Sequence, residues 1–209
     1  MAGRPRRDRP VTEHTIDGQA ATVLARLEER DAREREQGVA RALRLRQVTP
    51  DVGRFLHVLV LASHARSVLE IGTSGGYSTI WLALAARATR GSVVSLELDP
   101  VKVRLAREDV AAAGLSEVVE VVEGDAFAYL RDRRQPAQFV FLDAEKEDYL
   151  AYLDLIVPLL VPGGLLVADN LLSHAGDLAA FRARALAHPR LSAVVVPIGR
   201  GELLAVRTA

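Results

Sequence analysis

Cysteine is absent from these 209 residues, which excludes disulfides, thiolate metal sites and a cysteine nucleophile. Lysine is nearly absent. Only Lys102 and Lys146 stand among 27 basic residues, so arginine carries almost all of the positive charge. A lysine that persists in so arginine-rich a chain invites a chemical explanation, although Lys102, in P-V-K-V-R-L-A-R-E-D, suits an ordinary exposed helical charge. Net charge is absent too, with 27 acidic residues against 27 basic ones. Nothing about the whole molecule therefore steers it toward nucleic acid or an anionic membrane. No apolar run approaches the ~20 residues of a membrane span. The opening M-A-G-R-P-R-R-D-R-P has no apolar segment behind its charges, so it does not read as a secretory signal. The expected location is the cytoplasm.

What the chain does have is apolar content, 49% of its residues, enough for one large core. The pattern predicts a mobile Arg- and Pro-rich arm over residues 1–15 and a single domain over 16–209. Within that domain, 16–66 read as N-terminal helices and 67–209 as an α/β core. Gln19 to Leu45 reads as helical, with Gly38 as a divider between two helices. In V-T-P-D-V-G, Thr49 can cap a further helix and Pro50 suits its first turn. From Ser67 strands and helices alternate. Strands are expected at Val68 to Ile71, Val93 to Leu98, Val118 to Val122, Phe139 to Asp143, Leu165 to Asp169, Ala193 to Ile198 and Leu203 to Val206. Expected helices include Ser78 to Ala88, Pro100 to Ala113, Lys146 to Leu160 and Asp177 to Ala187. The last two strands are joined by too short a turn for a parallel crossover, so one sheet edge must be antiparallel. The expected fold is a Rossmann-like α/β sheet of seven strands, mostly parallel, with an antiparallel terminal hairpin, helices on both faces and extra N-terminal helices. A six-stranded dinucleotide fold is the alternative and would not need the hairpin.

Ser67 to Ser78, S-V-L-E-I-G-T-S-G-G-Y-S, is a strand breaking into closely spaced glycines before a helix. Such a loop brings bare backbone against a nucleotide-like ligand. Glu97, at the end of the next strand in S-V-V-S-L-E-L-D, can accept hydrogen bonds from both hydroxyls of a ribose. The glycines read G-x-x-G-G and not G-x-G-x-x-G, which argues against a dinucleotide pyrophosphate. The E-x-G-x-x-x-G of Glu70, Gly72 and Gly76 instead resembles the cofactor loop of class I methyltransferases that use S-adenosylmethionine.

Asp143 in F-V-F-L-D-A-E-K and Asp169 with Asn170 in L-L-V-A-D-N fall at strand ends, on the edge where parallel sheets bind ligands. Two carboxylates and an amide oxygen form a hard donor set suited to Mg²⁺, Mn²⁺ or Ca²⁺, of which Mg²⁺ or Mn²⁺ is expected. Alone, Asp143 could equally cap a helix and the Asp-Asn pair could form a turn.

From Val48 to Asn170 the chain resembles the cation-dependent O-methyltransferases, the group of the catechol and caffeoyl-coenzyme A enzymes. V-T-P-D-V-G, L-E-I-G-T-S-G-G-Y-S, L-E-L-D-P, G-D-A, F-L-D-A-E-K-E-D-Y and P-G-G-L-L-V-A-D-N occur in the matching order. The resemblance implies that Val48 touches S-adenosylmethionine from the N-terminal side, that Glu70, Gly72, Thr73 and Ser78 surround its methionine part, Glu97 holds its ribose, and Asp125 with Ala126 frames its adenine. Asp143 belongs with both cofactor and metal. Asp143, Asp169 and Asn170 match the metal ligands, and Lys146 the catalytic lysine.

The chemistry is coherent, since a phenol of pKa near ~10 needs help to become a nucleophile at neutral pH. A cation favours the oxyanion and a nearby amine can take the proton. His174, in L-L-S-H-A-G-D, could assist that transfer or remain a solvated loop residue. His57 and His64 read as structural. The expected acceptor is a small hydroxylated aromatic, and the resemblance adds a homodimer through an exposed apolar N-terminal helix. A tRNA hydroxyuridine methyltransferase and a non-catalytic cofactor-binding module are the alternatives. For the first, the Arg4 to Arg9 arm could touch phosphate, but zero net charge and the lack of an aromatic-basic stripe argue against nucleic acid.

Overall fold

The computed structural model describes residues 18–40 and 44–208, and the expected N-terminal arm lies outside them. The chain begins with α1 (Gly18–Glu36) and α2 (Pro50–Ala62), then alternates β1 (Ser67–Ile71), α3 (Tyr77–Ala88), β2 (Ser92–Glu97), α4 (Pro100–Ala112) and β3 (Val119–Glu123). It continues through α5 (Ala126–Asp132), β4 (Ala137–Leu142), a 3-10 turn (Lys146–Asp148), α6 (Tyr149–Leu159), β5 (Leu160–Ala168), α7 (Ala179–Leu186), β6 (Leu191–Val196) and β7 (Glu202–Arg207). One seven-stranded sheet results, ordered β3-β2-β1-β4-β5-β7-β6. Its first five strands are parallel, and β7 runs antiparallel to both β5 and β6. This is the expected architecture.

Central strands are apolar on both faces because helices cover both. Phe139, Phe141, Leu165 and Val167 pack with α1, α2 and α3, while Val140, Leu142, Leu166 and Ala168 pack with α5, α6 and α7. That alternation is the period-2 signature of a strand read at full burial. Reversal of the strand order between the parallel neighbours β1 and β4, whose crossovers lie on opposite sides of the sheet, opens a crevice at the carboxyl ends of the strands.

Three expectations change. The helical reading of Gln19 to Leu45 ends at Glu36: Gly38 takes φ +62°, Gln37 and Val39 donate back to the last helical carbonyls, and residues 44–49 are not helical. Glycine here terminates a helix instead of dividing two. Secondly, α1 does not expose its apolar face. Ala20, Val23, Leu24 and Leu27 are buried in the core shared with α2 and α3. Thirdly, β5 begins at Leu160 and not at the expected Leu165, so V-P-G-G lies inside it, beside a shift in the pairing register between Ala137 and Phe139. No helix among the described residues is long and apolar enough to cross a membrane.

Candidate active site

The loop after β1 owes its glycines to the protein's own backbone. Gly72 has φ +102°, and a Cβ there would lie 2.1 Å from the Asp143 carbonyl oxygen, so only glycine lets the ends of β1 and β4 approach. Gly72 N and Thr73 N both donate to Leu96 O, at 3.0 and 3.2 Å, folding the loop over the end of β2. Gly76, at φ +85°, then starts α3.

Beneath this loop Glu70 is fully buried and accepts hydrogen bonds from Ser78, Thr79 and Ser95. Ser95 is also joined to Thr73. Burial raises the Glu70 pKa to about 7, against the pull of those three hydroxyls. Glu70 therefore supports Ser78 directly and Thr73 through Ser95; it does not line the cavity, contrary to its expected contact with a ligand.

Glu97 ends β2 with Oε2 accepting from Ser74 N at 2.7 Å and Oε1 from Leu98 N and Asp99 N at 3.0 Å each. Its carboxylate thus fixes the glycine loop and the turn into α4 while still lining the cavity. Oε1 already accepts two protein donors, whereas Oε2 accepts one and keeps a lone pair for a ribose hydroxyl. Asp125 caps α5 by accepting from Phe127 N at 2.9 Å. Beside it Phe127 and Tyr152 stack face to face, ring centroids 4.2 Å apart.

These elements enclose a cavity of about 500 Å³. Val48, Gly72, Thr73, Ser78, Glu97, Asp125, Ala126 and Asp143 all line it, as do Lys146 and Asn170. Across its mouth Arg46 and Glu145 form a 2.5 Å ion pair. The guanidinium holds the Glu145 pKa down, and the carboxylate raises that of Arg46.

At one end of the cavity the strand ends of β4 and β5 bring acidic groups together. Asp143 Oδ1 accepts from Lys146 Nζ at 3.0 Å and from Asn170 Nδ2 at 2.9 Å. Lys146 Nζ also donates to Ala144 O at 2.7 Å and Tyr149 Oη at 3.2 Å, and stands 5.0 Å from the centre of the Tyr149 ring. Asp169 is buried behind Asn170 and accepts from its backbone N–H at 2.6 Å. It does not line the cavity.

Next to Asp169 lies Glu202, the first residue of β7 and fully buried. Neither of its oxygens meets an N–H or hydroxyl of the described residues. Burial first, then the charge of Asp169, drives its pKa far upward, and burial with the charge of Asp143 raises that of Asp169. Glu202 therefore holds a proton at neutral pH, which lets the two carboxyl groups lie side by side. Sequence reading missed Glu202, because an acid opening a strand after G-R-G looks like an exposed turn. It also missed Tyr149, although the motif F-L-D-A-E-K-E-D-Y contains it.

His174 does not line the cavity; its Nδ1 lies 3.0 Å from Ser173 Oγ. His57 is buried beside Trp81, in edge-on contact, which agrees with a structural role.

An α/β sheet with a ligand crevice at its carboxyl edge, a glycine loop over an acidic strand end and a charged cluster opposite defines a class I methyltransferase-like fold. The sequence matches the O-methyltransferase family over residues 19–208, and the chain belongs to that family. It is 43% identical to a catechol O-methyltransferase of Mycobacterium tuberculosis over 133 residues, covering 63% of this chain and 60% of that one. Against a catechol O-methyltransferase of Niastella koreensis the identity is 36% over 129 residues, or 60% and 58%. The matched segment thus spans about 60% of the length of each of these two curated relatives. The solved O-methyltransferase of Bacillus cereus in complex with SAH superposes with a TM-score of 0.77 at 31% identity, covering 90% of this chain and 91% of that one.

Proposed function

We propose that this protein transfers a methyl group from S-adenosylmethionine to a hydroxyl of a small phenolic or catechol-like acceptor, assisted by a divalent cation. The observation that carries the reading is the meeting of eight of the nine proposed cofactor residues, together with Lys146 and Asn170, on one cavity. S-adenosylmethionine supplies an electrophilic methyl on a sulfonium, and a cation would favour the acceptor oxyanion. Val48 would touch the cofactor from the N-terminal side, Gly72, Thr73 and Ser78 would hold the methionine part, Glu97 the ribose, and Asp125 with Ala126 the adenine, next to the Phe127 and Tyr152 rings.

Asp143, Asp169 and Asn170 fit a hard cation by donor type. Burial, then the charges of Asp169 and Asp143, raises the Glu202 pKa, and burial, then the charge of Asp143, raises that of Asp169; Lys146 is the cation that opposes both shifts, a local deficit of positive charge. Asn170 directs its amide nitrogen at Asp143; turning the amide over would present its oxygen instead. Among the described residues no three His, Cys, Asp or Glu side chains converge as a ready metal cluster, so the amide belongs to the proposed set. Lys146 would take the acceptor proton, its amine aligned by Asp143 and Tyr149. His174, which stands outside the cavity lining, is left a secondary role in proton removal or substrate binding.

A homodimer and a cytoplasmic location complete the proposal; the dimer would use a surface other than the buried face of α1, and sedimentation velocity tests it. For the reaction, labelled S-adenosylmethionine with catechols should give labelled product with Mg²⁺ or Mn²⁺ and none in excess chelator. Full turnover in chelator would reject the metal, and no transfer to any hydroxylated aromatic would reject the acceptor class.

A further inference from the structure

Arg200 lies in the turn between β6 and β7 and lines the cavity with Asn170 and Lys146. Its main chain is pinned to the segment that follows the Asp169 and Asn170 pair. Arg200 O accepts from Leu172 N and Ser173 N at 3.0 Å each, and Gly201 O accepts from Leu171 N at 2.8 Å. The flanking glycines make that docking possible. A Cβ on Gly199, at φ +55°, would lie 2.3 Å from Val52 Cγ2, and one on Gly201, at φ +91°, 2.4 Å from Leu172 Cγ. The turn is thus clamped between α2 and the 170–173 segment, and the base of the arginine is fixed at the acceptor end.

Among the described residues, two of the other cavity cations are held in ion pairs, and the third, Lys102, acts on the site through its field alone. Lys146 is bound to Asp143 and Arg46 to Glu145, and Lys102 adds to the field that lowers the Glu145 pKa. The half-buried Arg200 guanidinium makes no ion pair or hydrogen bond with any described residue. A planar fork of donors on a rigid base, facing a ligand cavity without a protein acceptor, matches a carboxylate held through two parallel hydrogen bonds.

Resting on the proposed methyl transfer, we infer that the acceptor carries a carboxylate on or near its hydroxylated ring, and that Arg200 selects it. The methionine carboxylate of the cofactor is the other source of this chemistry. The bonds from the Arg200 turn to residues 171–173 favour the acceptor.

The test compares protocatechuate with its methyl ester, which differ in that charge, in wild type and in Arg200→Gln. Wild type should favour the acid in kcat/KM by roughly 10- to 100-fold, the range for a hydrogen bond to a charged group. In Arg200→Gln the acid-to-ester ratio should fall toward one. Calorimetry on protein saturated with S-adenosylhomocysteine should show the same loss in protocatechuate affinity, which separates binding from turnover. Arg200→Glu should shift the preference toward a catechol alkylamine. An acid-to-ester ratio near one in wild type, with both acceptors methylated, would overturn the anion subsite and leave the methyltransferase reading standing. So would an unchanged ratio in Arg200→Gln with weakened S-adenosylhomocysteine binding, which would assign the guanidinium to the cofactor. If wild type neither binds nor methylates any catechol, the acceptor reading itself fails and takes the inference with it.

Discussion

Glu70 is held in the protein interior with a pKa raised from 4.5 to about 7 by burial, and this ties stability to pH. Below pH 4.5 the group is protonated in both the folded and the unfolded chain. Between pH 4.5 and about 7 the unfolded chain ionises first, so stability falls as pH rises, by roughly 3 kcal/mol across the window. Glu70→Gln should flatten this segment of a urea-derived stability profile, and an identical slope in both proteins would refute the assignment. Lys146 calls for a different measurement. Lys146→Arg keeps the charge but removes an amine able to lose its proton. S-adenosylhomocysteine affinity should persist while kcat falls ~10²- to 10⁴-fold, the usual range for a positioned base. The loss should be smaller for acceptors of lower phenol pKa; near-normal kcat across acceptors would dismiss the base role.

At the scale of elements, the loop between β1 and α3 is built to bring two strand ends together. Gly72→Ala would add strain at positive φ and an overlap with the Asp143 carbonyl, so it should cost roughly 1–3 kcal/mol or more. It should also displace Asp143 and Lys146, lowering activity more than the drop in melting temperature alone explains. Wild-type activity and melting in that variant would contradict the proposed contact. Most elements were legible because full burial writes strands as apolar runs, V-L-E-I and F-V-F-L among them. The length and short connections of these runs separate them from helices. The continuation of helix to Leu45 was misread, since charge-rich 29–36 and 39–45 share the same periodicity and only the glycine conformation at Gly38 distinguishes them. The V-P-G-G start of β5 was equally hidden, because its pairing tolerates a register irregularity that the residues alone do not announce.

Across the whole molecule, the site was legible where the sheet topology brings strand ends together and illegible where a residue's depth decides its role. Glu97, Asp143 and Asn170 follow from strand endings in a parallel sheet. Glu70 shares that signature, yet its side chain turns inward to the hydroxyls of Ser78, Thr79 and Ser95. Glu202 and Arg200 come from the antiparallel hairpin, whose lateral place beside β5 depends on the global strand order and not on local pattern.

That strand order also bears on how the polypeptide matures. Because β7 lies between β5 and β6, β6 has no lateral neighbour until β7 has been made. A ribosome-bound chain that has emerged only through β6 can align β1 to β5 yet leaves the flank of β5 bare, without Arg200 and Glu202. Pairing of β7 with both neighbours then closes the sheet and completes the cavity in a single late event. Until that event the nascent chain carries an open apolar strand edge, the kind of surface that holding chaperones bind.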